Sequence, residues 1–556
     1  MYTGLCRWTL VAVVFFGACK SPGKPKEVDI VEIPEQFEVR VSRNLRSALD
    51  FILSNKGRLS DTVVIVKDSL VNTFYRRNQF QPIWCRQENW APIGDSLFKF
   101  IEQSREYGLF PSDYHYRALS GLRQMIASDS NAHKDAALWS RADLMLTDAF
   151  VLICKHIKQG HLDYDSVTLR TDTVLKEAYY TGVFDELKFT RNIKRLFERL
   201  EPVNSDYVAL KGALKQFLDS VGPFRRFTYV PYPTRDSVAL YNALQRRLFE
   251  EDILLSPSDS LSAESWKLAI SQYQRNKGLK ETGKVNVNTV NTLNFTDWEK
   301  FKRVAITLDR YRLLPDSLPP TYIWVNLPAY NLKVIDADTV AMESRVIVGT
   351  AKTRTPLLTS LVSNFITYPQ WTVPYSIIFK EMLPQIQKDV GYLAKQNLMV
   401  VDKNDSIIHP DSINWKRLSK KYFPYLLKQR QGDDNSLGVL KFNFPNKYAV
   451  YLHDTNARWL FSKTNRALSH GCVRVKDFQR LADFLVRQDS VRHHPDTLRN
   501  WIKRQEKHIV SGFKKVPIFI RYFSCEAKEG RLVFHEDIYG EDKELRERYF
   551  ADKAML

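Results

Sequence analysis

The segment "LSHGCVRVKD", Leu468–Asp477, sets a cysteine directly after a serine, a histidine and a glycine, in a chain with only six cysteines. A cysteine nucleophile needs a base, surroundings that tolerate a thiolate, donors for an oxyanion and room for substrate. Gly471 has no side chain, so the backbone can turn sharply and a carbonyl can approach the amides around Cys472. If residues 472–475 are extended, Cys472 and Arg474 share one face, with Val473 and Val475 on the other. A guanidinium on the cysteine's face suits a carboxylate-bearing substrate and lowers a thiol pKa. A second histidine stands in "YAVYLHDT", 472 − 453 = 19 residues upstream. Alternation there predicts Ala449, Tyr451 and His453 on one face and Tyr448, Val450 and Leu452 on the other. The intervening chain is long enough for a strand, a loop and a return to an adjacent position.

The same residues admit other readings. An isolated His-Gly-Cys can be a structural turn, and His453 can be a satisfied histidine at a strand end. His453, Asp454, His470 and Cys472 could together bind zinc, but His470 and Cys472 are only two apart and no CxxC or HExxH partner accompanies them.

The elements that must position these residues follow from periodicity. After Pro315 the pattern changes to a period of two: "TYIWVNLPAYNLKVI", "SRVIVG", "NKYAVYLHDT", "KVPIFIRYF" and "GRLVFHEDIYG" read as strands. They predict a mostly-β domain over 320–550, interrupted at 376–436 by helical and irregular sequence of the size of a lid. Upstream the pattern is helical. "LRSALDFILSNKG" and "RADLMLTDAFVLICKHIKQG" carry apolar residues at three- and four-residue steps, each closed by Gly, within a helical scaffold expected over 44–235. Prolines in "VGPFRRFTYVPYPTRDS" break the helices. A small three-helix core is then expected over 238–295 and a connecting helix over 296–319. The fold class expected is multidomain α + β.

Composition bounds the partners. The 556 residues are 44% hydrophobic and 26% charged, a globular balance, and 82 basic against 63 acidic residues give a net charge of +19. That excess suits an anionic partner or simply a solvated basic surface. No RNP-like, zinc-finger or P-loop pattern appears, so nucleic acid is not expected as a partner. The N-terminal "MYTGLCRWTLVAVVFFGACKS" has a basic n-region and an apolar run, Trp8–Phe16, too short to cross a bilayer. It reads as a signal peptide over 1–18, followed by a tether over 19–43. Phe16-Gly17-Ala18-Cys19 resembles the lipobox of bacterial lipoproteins, which implies lipidation of Cys19 and a membrane-anchored lipoprotein of the periplasm. Cys85, Cys154, Cys472 and Cys525 remain; they are no disulfide framework, and pairing of Cys85 with Cys154 is left open.

Taken together, "HDTNARWLFSKTNRALSHGCVRVKD" and the preceding "LGVLKFNFPNKYAVYL" resemble the signature of the L,D-transpeptidases, the YkuD-type catalytic domain. The similarity extends to "VNLPAYNLKVI", "SRVIVGTAKTRTP", "WTVP" and "FHEDIYGED". "LQRRL", "YQRNKGL" and "TGKVNVNTVNTLN" look like a peptidoglycan-binding domain, and the whole mature chain resembles the large YcbB-type members. Those carry a scaffold domain, a peptidoglycan-binding domain and a capping insertion in the catalytic domain. The resemblance implies Cys472 as nucleophile, His453 as its proton acceptor, and the amides of Gly471 and Cys472 as the oxyanion hole. It implies Ser469, His470, Arg474, Tyr451 and Trp371 at the substrate, with no cofactor and no metal. The activity implied is peptidoglycan L,D-transpeptidation: stem tetrapeptides acylate the cysteine with release of D-Ala, an amine of a second stem closes a 3→3 cross-link, and carbapenems acylate the same thiol. L,D-carboxypeptidase action, attachment of proteins to the wall, and an inactive wall-binding lipoprotein are the alternatives. "YFSCEA" departs from the family, with Cys525 and Glu526 where relatives more often have Thr-Ala-Trp.

Overall fold

The computed structural model describes residues 24–163, 174–257, 261–488 and 494–555, and the fold is multidomain α + β. The signal segment and Cys19 lie outside the described residues. Contacts divide the chain into two units, one built mainly from residues up to 160 and 172–201, the other mainly from 202–552.

The first unit is helical. Its centre is Ala136–Gln159, apolar on nearly every side and therefore buried on nearly every side. Helices Phe37–Ser54, Asp68–Arg77, Pro92–Glu102, Tyr116–Ser128, Glu177–Thr190 and Ile193–Leu200 contribute to the same apolar core. Two carboxylates on the central helix satisfy backbone donors of loops that could not otherwise be buried. Asp143 accepts from Ile83, Trp84 and Cys85 at 2.8–3.2 Å, and Asp148 accepts from Val66 and Lys67. The tether expected over 19–43 is shorter than its composition suggested. Val31 is buried, the first helix starts at Phe37, and Asp29 is buried between Arg40, Asn44 and the Asp135 carboxylate, which accepts its amide. Charge read as solvent-seeking is instead neutralised in place. Cys85 and Cys154 are separate buried thiols.

In the second unit, helices Ser237–Glu250, Ala263–Asn276 and Val287–Asn294 close a small core around Leu244, Leu248, Ile270, Tyr273 and Leu293. Buried Gln274 ties this module together, its amide donating to Thr282, Lys284 and Thr289 groups at 3.0 Å. The helix Ser205–Val221 packs against Asp297–Arg312, the connecting helix.

The mostly-β domain has nine strands in one sheet: β1 Thr321–Asn326, β2 Asn331–Asp336, β3 Thr339–Gly349, β4 Leu358–Thr367, β5 Leu440–Asn443, β6 Leu452–His453, β7 Ala467–Ser469, β8 Val473–Val475 and β9 Ile509–Arg521. Their order is β7-β3-β8-β6-β5-β4-β9-β1-β2, and β2 pairs back onto β3, so the sheet closes on itself and leaves β7 as an appended edge. Closure hides the edges, and the inward positions, Phe442, Leu452, Val473 and Val475 among them, form one core.

Two strand expectations change. "YAVYLHDT" is a strand only at Leu452–His453; Ala449 has φ +54°, which ends the alternation assumed there. Arg531–Phe534 pairs with Cys525–Lys528 as a separate hairpin outside the large sheet. In that hairpin region burial would raise the Glu526 carboxyl, but its bonds to His535 and Lys528 outweigh burial and hold it down at about 2. The Glu526 departure thus has a partner in His535.

The 376–436 insertion is a small body with its own core. Strands Trp371–Thr372, Leu426–Gln429, Leu398–Val401 and Ile407–Ile408 form a four-stranded sheet beside short helices, with Ile378, Ile386, Leu393, Val400 and Leu427 buried between them. Apolar residues dispersed among lysines concealed this core in the sequence.

Candidate active site

The site grows from the register of three adjacent strands. β5 runs antiparallel to β6, with Lys441 opposite His453, and β6 runs parallel to β8, with His453 opposite Arg474. Because Phe442, Leu452 and Val473 face the core, Lys441, His453 and Arg474 share the other face. Cys472 lies just before β8, where Val473 donates its amide to the Tyr451 carbonyl at 3.2 Å. Cys472, His453, Tyr451, Trp371, Ser469, His470, Gly471 and Arg474 all line one cavity of about 420 Å³, together with Lys380, Glu381 and Leu437 near the insertion.

The turn carrying Cys472 is built by hydrogen bonds. Buried Ser469 donates its hydroxyl to the Cys472 carbonyl at 2.6 Å and accepts the Gly471 amide at 3.1 Å. Gly471 has φ +120°, a conformation that L side chains rarely adopt. The loop after β3 cradles the turn: Thr353 donates to the Ser469 carbonyl at 3.0 Å and Thr355 to the Gly471 carbonyl at 2.8 Å. Tyr539 fixes that loop, accepting the Thr355 amide and donating to the Gly349 carbonyl. The Gly471 amide is thus engaged by Ser469, contrary to the expectation that it helps form an oxyanion hole. The Cys472 amide makes no hydrogen bond among the described residues.

The electrostatics differ from expectation in one respect. Arg474 and Lys441 both favour the thiolate, yet burial outweighs them and Cys472 rests above the ordinary thiol range. His453 is buried, and its pKa is lowered to about 3, first by loss of solvent and then by the positive charge of Arg474. At neutral pH the resting pair is therefore a thiol and a neutral imidazole. Tyr451 lies between the two: its ring is 5.5 Å from that of His453, and its carbonyl accepts the amide of Val473, next to the cysteine. The thiol also points at the Ala449 carbonyl, 3.9 Å away. Asn446 holds that loop by accepting the amides of Tyr448 and Val450 at 3.1 Å.

Asp454 does not orient His453. Its carboxylate accepts from the Val439 amide at 3.0 Å and from Arg458. Backbone groups at Leu437 and Asp454 favour the imidazolium, while His453 Nδ1 has no hydrogen-bond partner of ordinary geometry among the described residues. His470 faces the insertion and pairs with Glu381 at 2.8 Å. With Asp454 and His470 so engaged, the four residues considered for zinc do not converge. Lys441 was missed in the sequence. The signal was present in "LKFN", where alternation with buried Leu440 and Phe442 puts the lysine on the opposite face.

A thiol, a neutral imidazole and an unbonded amide around one cavity can carry out acyl transfer through cysteine. Residues 320–492 match the family model of the L,D-transpeptidase catalytic domain, YkuD, and residues 69–214 match that of a scaffold domain. These two regions are therefore similar to an L,D-transpeptidase catalytic domain and to a scaffold domain. A curated relative from Haemophilus influenzae, named "Putative L,D-transpeptidase", is 36% identical over 245 residues, which cover 44% of this chain and 49% of the relative. The chain thus spans about half the length of the curated relative it matches. Among solved structures, the Ldtfm–avibactam carbamoyl enzyme is 12% identical with a TM-score of 0.18, covering 39% of this chain and 61% of that one. An L,D-transpeptidase from Xylanimonas cellulosilytica is 13% identical with a TM-score of 0.14, covering 54% and 98%.

The four described cysteines differ in environment, and this gives a first prediction. Cys85 and Cys154 are buried and held well above the ordinary thiol range, and burial pushes Cys525 up likewise. In the native protein iodoacetamide should modify Cys472 before the other three, as read by peptide mass spectrometry. Because its thiol is raised, the rate should still climb between pH 8 and pH 9. A plateau below pH 8 would contradict the burial described here.

Proposed function

We propose that this protein is a peptidoglycan L,D-transpeptidase that forms 3→3 cross-links by acyl transfer through Cys472. The observation that carries the reading is the common cavity of Cys472, His453 and Arg474, with Lys441 opposite His453 on the adjacent strand. As the Cys472 thiol passes its proton to His453, the sulfur attacks the carbonyl between the L-centre of diaminopimelate and the terminal D-Ala. The Cys472 amide meets the developing oxyanion. The C–N bond breaks, D-Ala leaves with the proton held by His453, and a thioester remains. The side-chain amine of a second stem attacks the thioester, its proton passes to His453, and the cysteine is released. Ser469 shapes the turn, while Arg474, Tyr451, Trp371 and His470 face the donor. No cofactor or metal enters this scheme.

Mass spectrometry of wall fragments incubated with purified enzyme tests it. Cross-linked dimers from the wild type, absent with Cys472→Ala, are expected. Tripeptide monomers alone would make the enzyme an L,D-carboxypeptidase, and no product at all would leave a wall-binding protein.

The chain is proposed to act in the periplasm, anchored to a membrane through lipid on Cys19. Palmitate labelling in cells should be present in the wild type and lost in Cys19→Ser.

A further inference from the structure

Lys441 is an unusual residue to find where it lies. It is half-buried on the face of β5 that turns away from the core, directly opposite His453 in register, with its ammonium 4.2 Å from the centre of the Tyr451 ring. On its other side β5 pairs with β4, where its register partner is the apolar Ile366. The titratable groups facing it are His453 and Tyr451 on β6 and the loop before it, Cys472 just before β8, and Arg474 on β8, which is cationic itself. No carboxylate pairs with Lys441 or Arg474 among the described residues, and Arg474 Nε has no hydrogen-bond partner. Burying an ammonium without an anion is costly, so a fold that keeps one beside a thiol gains from the charge when the thiol ionises.

We propose that Lys441 is a positioning residue for the reaction, supplying the fixed positive charge that favours the Cys472 thiolate, while His453 accepts the proton without serving as the resting counter-ion. Three features support the division of labour. The imidazole is buried among like charges and stays neutral at pH 7, so it cannot offer a standing cation. Both cations act on the thiol in the direction of ionisation, and the thiol in turn raises both of them. The Tyr451 ring carries the lysine while the Tyr451 carbonyl accepts the amide of Val473, next to the cysteine, so one residue holds both groups in place. This inference rests on the acyl-transfer reading for its purpose, though not for its measurement.

The test is the rate of Cys472 alkylation by iodoacetamide between pH 7 and pH 10.5, followed by peptide mass spectrometry in the full chain. Lys441→Met keeps the apolar stem and removes the charge; Lys441→Arg restores a charge. At pH 8 the methionine variant should react about tenfold more slowly than wild type, one unit of thiol pKa, and the gap should close as pH rises. The arginine variant should recover most of the rate. His453→Asn should lose transpeptidation yet keep the wild-type alkylation profile. An equal deficit at every pH would mean that the lysine only props the Tyr451 ring, and the proposal would fall. It would also fall if His453→Asn shifted the profile as Lys441→Met does, or if Lys441→Met shifted nothing. Retained burial of Cys525, read as its continued resistance to reagent, shows that each variant is folded. A wild type with the expected profile that makes no product from stem peptides would defeat the transpeptidase reading and leave this inference standing.

Discussion

Cys472→Ala should abolish covalent capture of a carbapenem and reduce cross-linking by roughly 10⁴-fold or more, the scale seen when a nucleophile is deleted from a catalytic set. The reason is chemical rather than structural. The methyl group left behind fits wherever the thiol fitted, and none of the bonds that shape the turn involves the sulfur. Ser469 bonds the Cys472 carbonyl, Thr353 the Ser469 carbonyl and Thr355 the Gly471 carbonyl, and all three survive the substitution. The variant should therefore unfold at the wild-type temperature while intact-mass spectrometry shows no adduct. His453→Ala should behave differently. Its thiol remains and alkylates, but acylation by the drug slows by about 10²–10⁴-fold, because no group is left to take the proton. If the alanine at 472 still gained the mass of the drug, the nucleophile would lie elsewhere.

Gly349→Ala should also damage activity, although residue 349 does not line the cavity. A Cβ there would lie 2.1 Å from the Thr353 carbonyl oxygen and 2.7 Å from the Thr355 amide, both backbone atoms that cannot rotate away. The loop 350–355 must shift, and it carries the two threonines that hold the Ser469–Gly471 carbonyls. Overpacking of this kind costs about 1–3 kcal/mol of stability. A displacement of about 1 Å at the nucleophile costs about 10²-fold in rate. The expected result is a modest fall in melting temperature with a hundredfold loss of acylation rate, measured as the carbapenem adduct formed over time. Wild-type acylation in this variant would show that the loop does not set the cysteine. The contrast with Gly471 is instructive: there the nearest atoms are 3.6 Å away, so space is available and only the backbone conformation demands glycine.

The layout of the candidate site was legible in the sequence because it depends on neighbours along the chain. Gly471 next to Cys472 marks a sharp turn, and Val473 and Val475 alternating with Cys472 and Arg474 mark a strand with one polar face. His453 follows from the same rule, since a two-residue strand still alternates, and Leu452 goes to the core while His453 goes to the cavity. Helical periodicity likewise indicated the helices of the first unit, because a helix buried on nearly every side must be apolar on nearly every side, as Ala136–Gln159 is.

What failed had a common cause. Ala449 looked like one more alternating residue, yet Asn446 captures the amides of Tyr448 and Val450 and bends the chain, a competition that periodicity does not register. The segment 19–43 looked like a tether throughout because the Asp135 carboxylate that accepts the Asp29 amide lies far along the chain, and Arg40 and Asn44 reach Asp29 only once the first helix has formed.

By itself, then, the sequence determined the strand faces, the turn at Gly471 and the pairing of chemical types, since these are local consequences of steric period and side-chain size. Only the tertiary structure decided which strands became neighbours. That choice set Lys441 opposite His453, gave the Gly471 amide to Ser469, turned Asp454 toward Arg458 and made burial outweigh the cations at Cys472. Charge and solvation act through space, so their balance exists only once distant segments have been brought together.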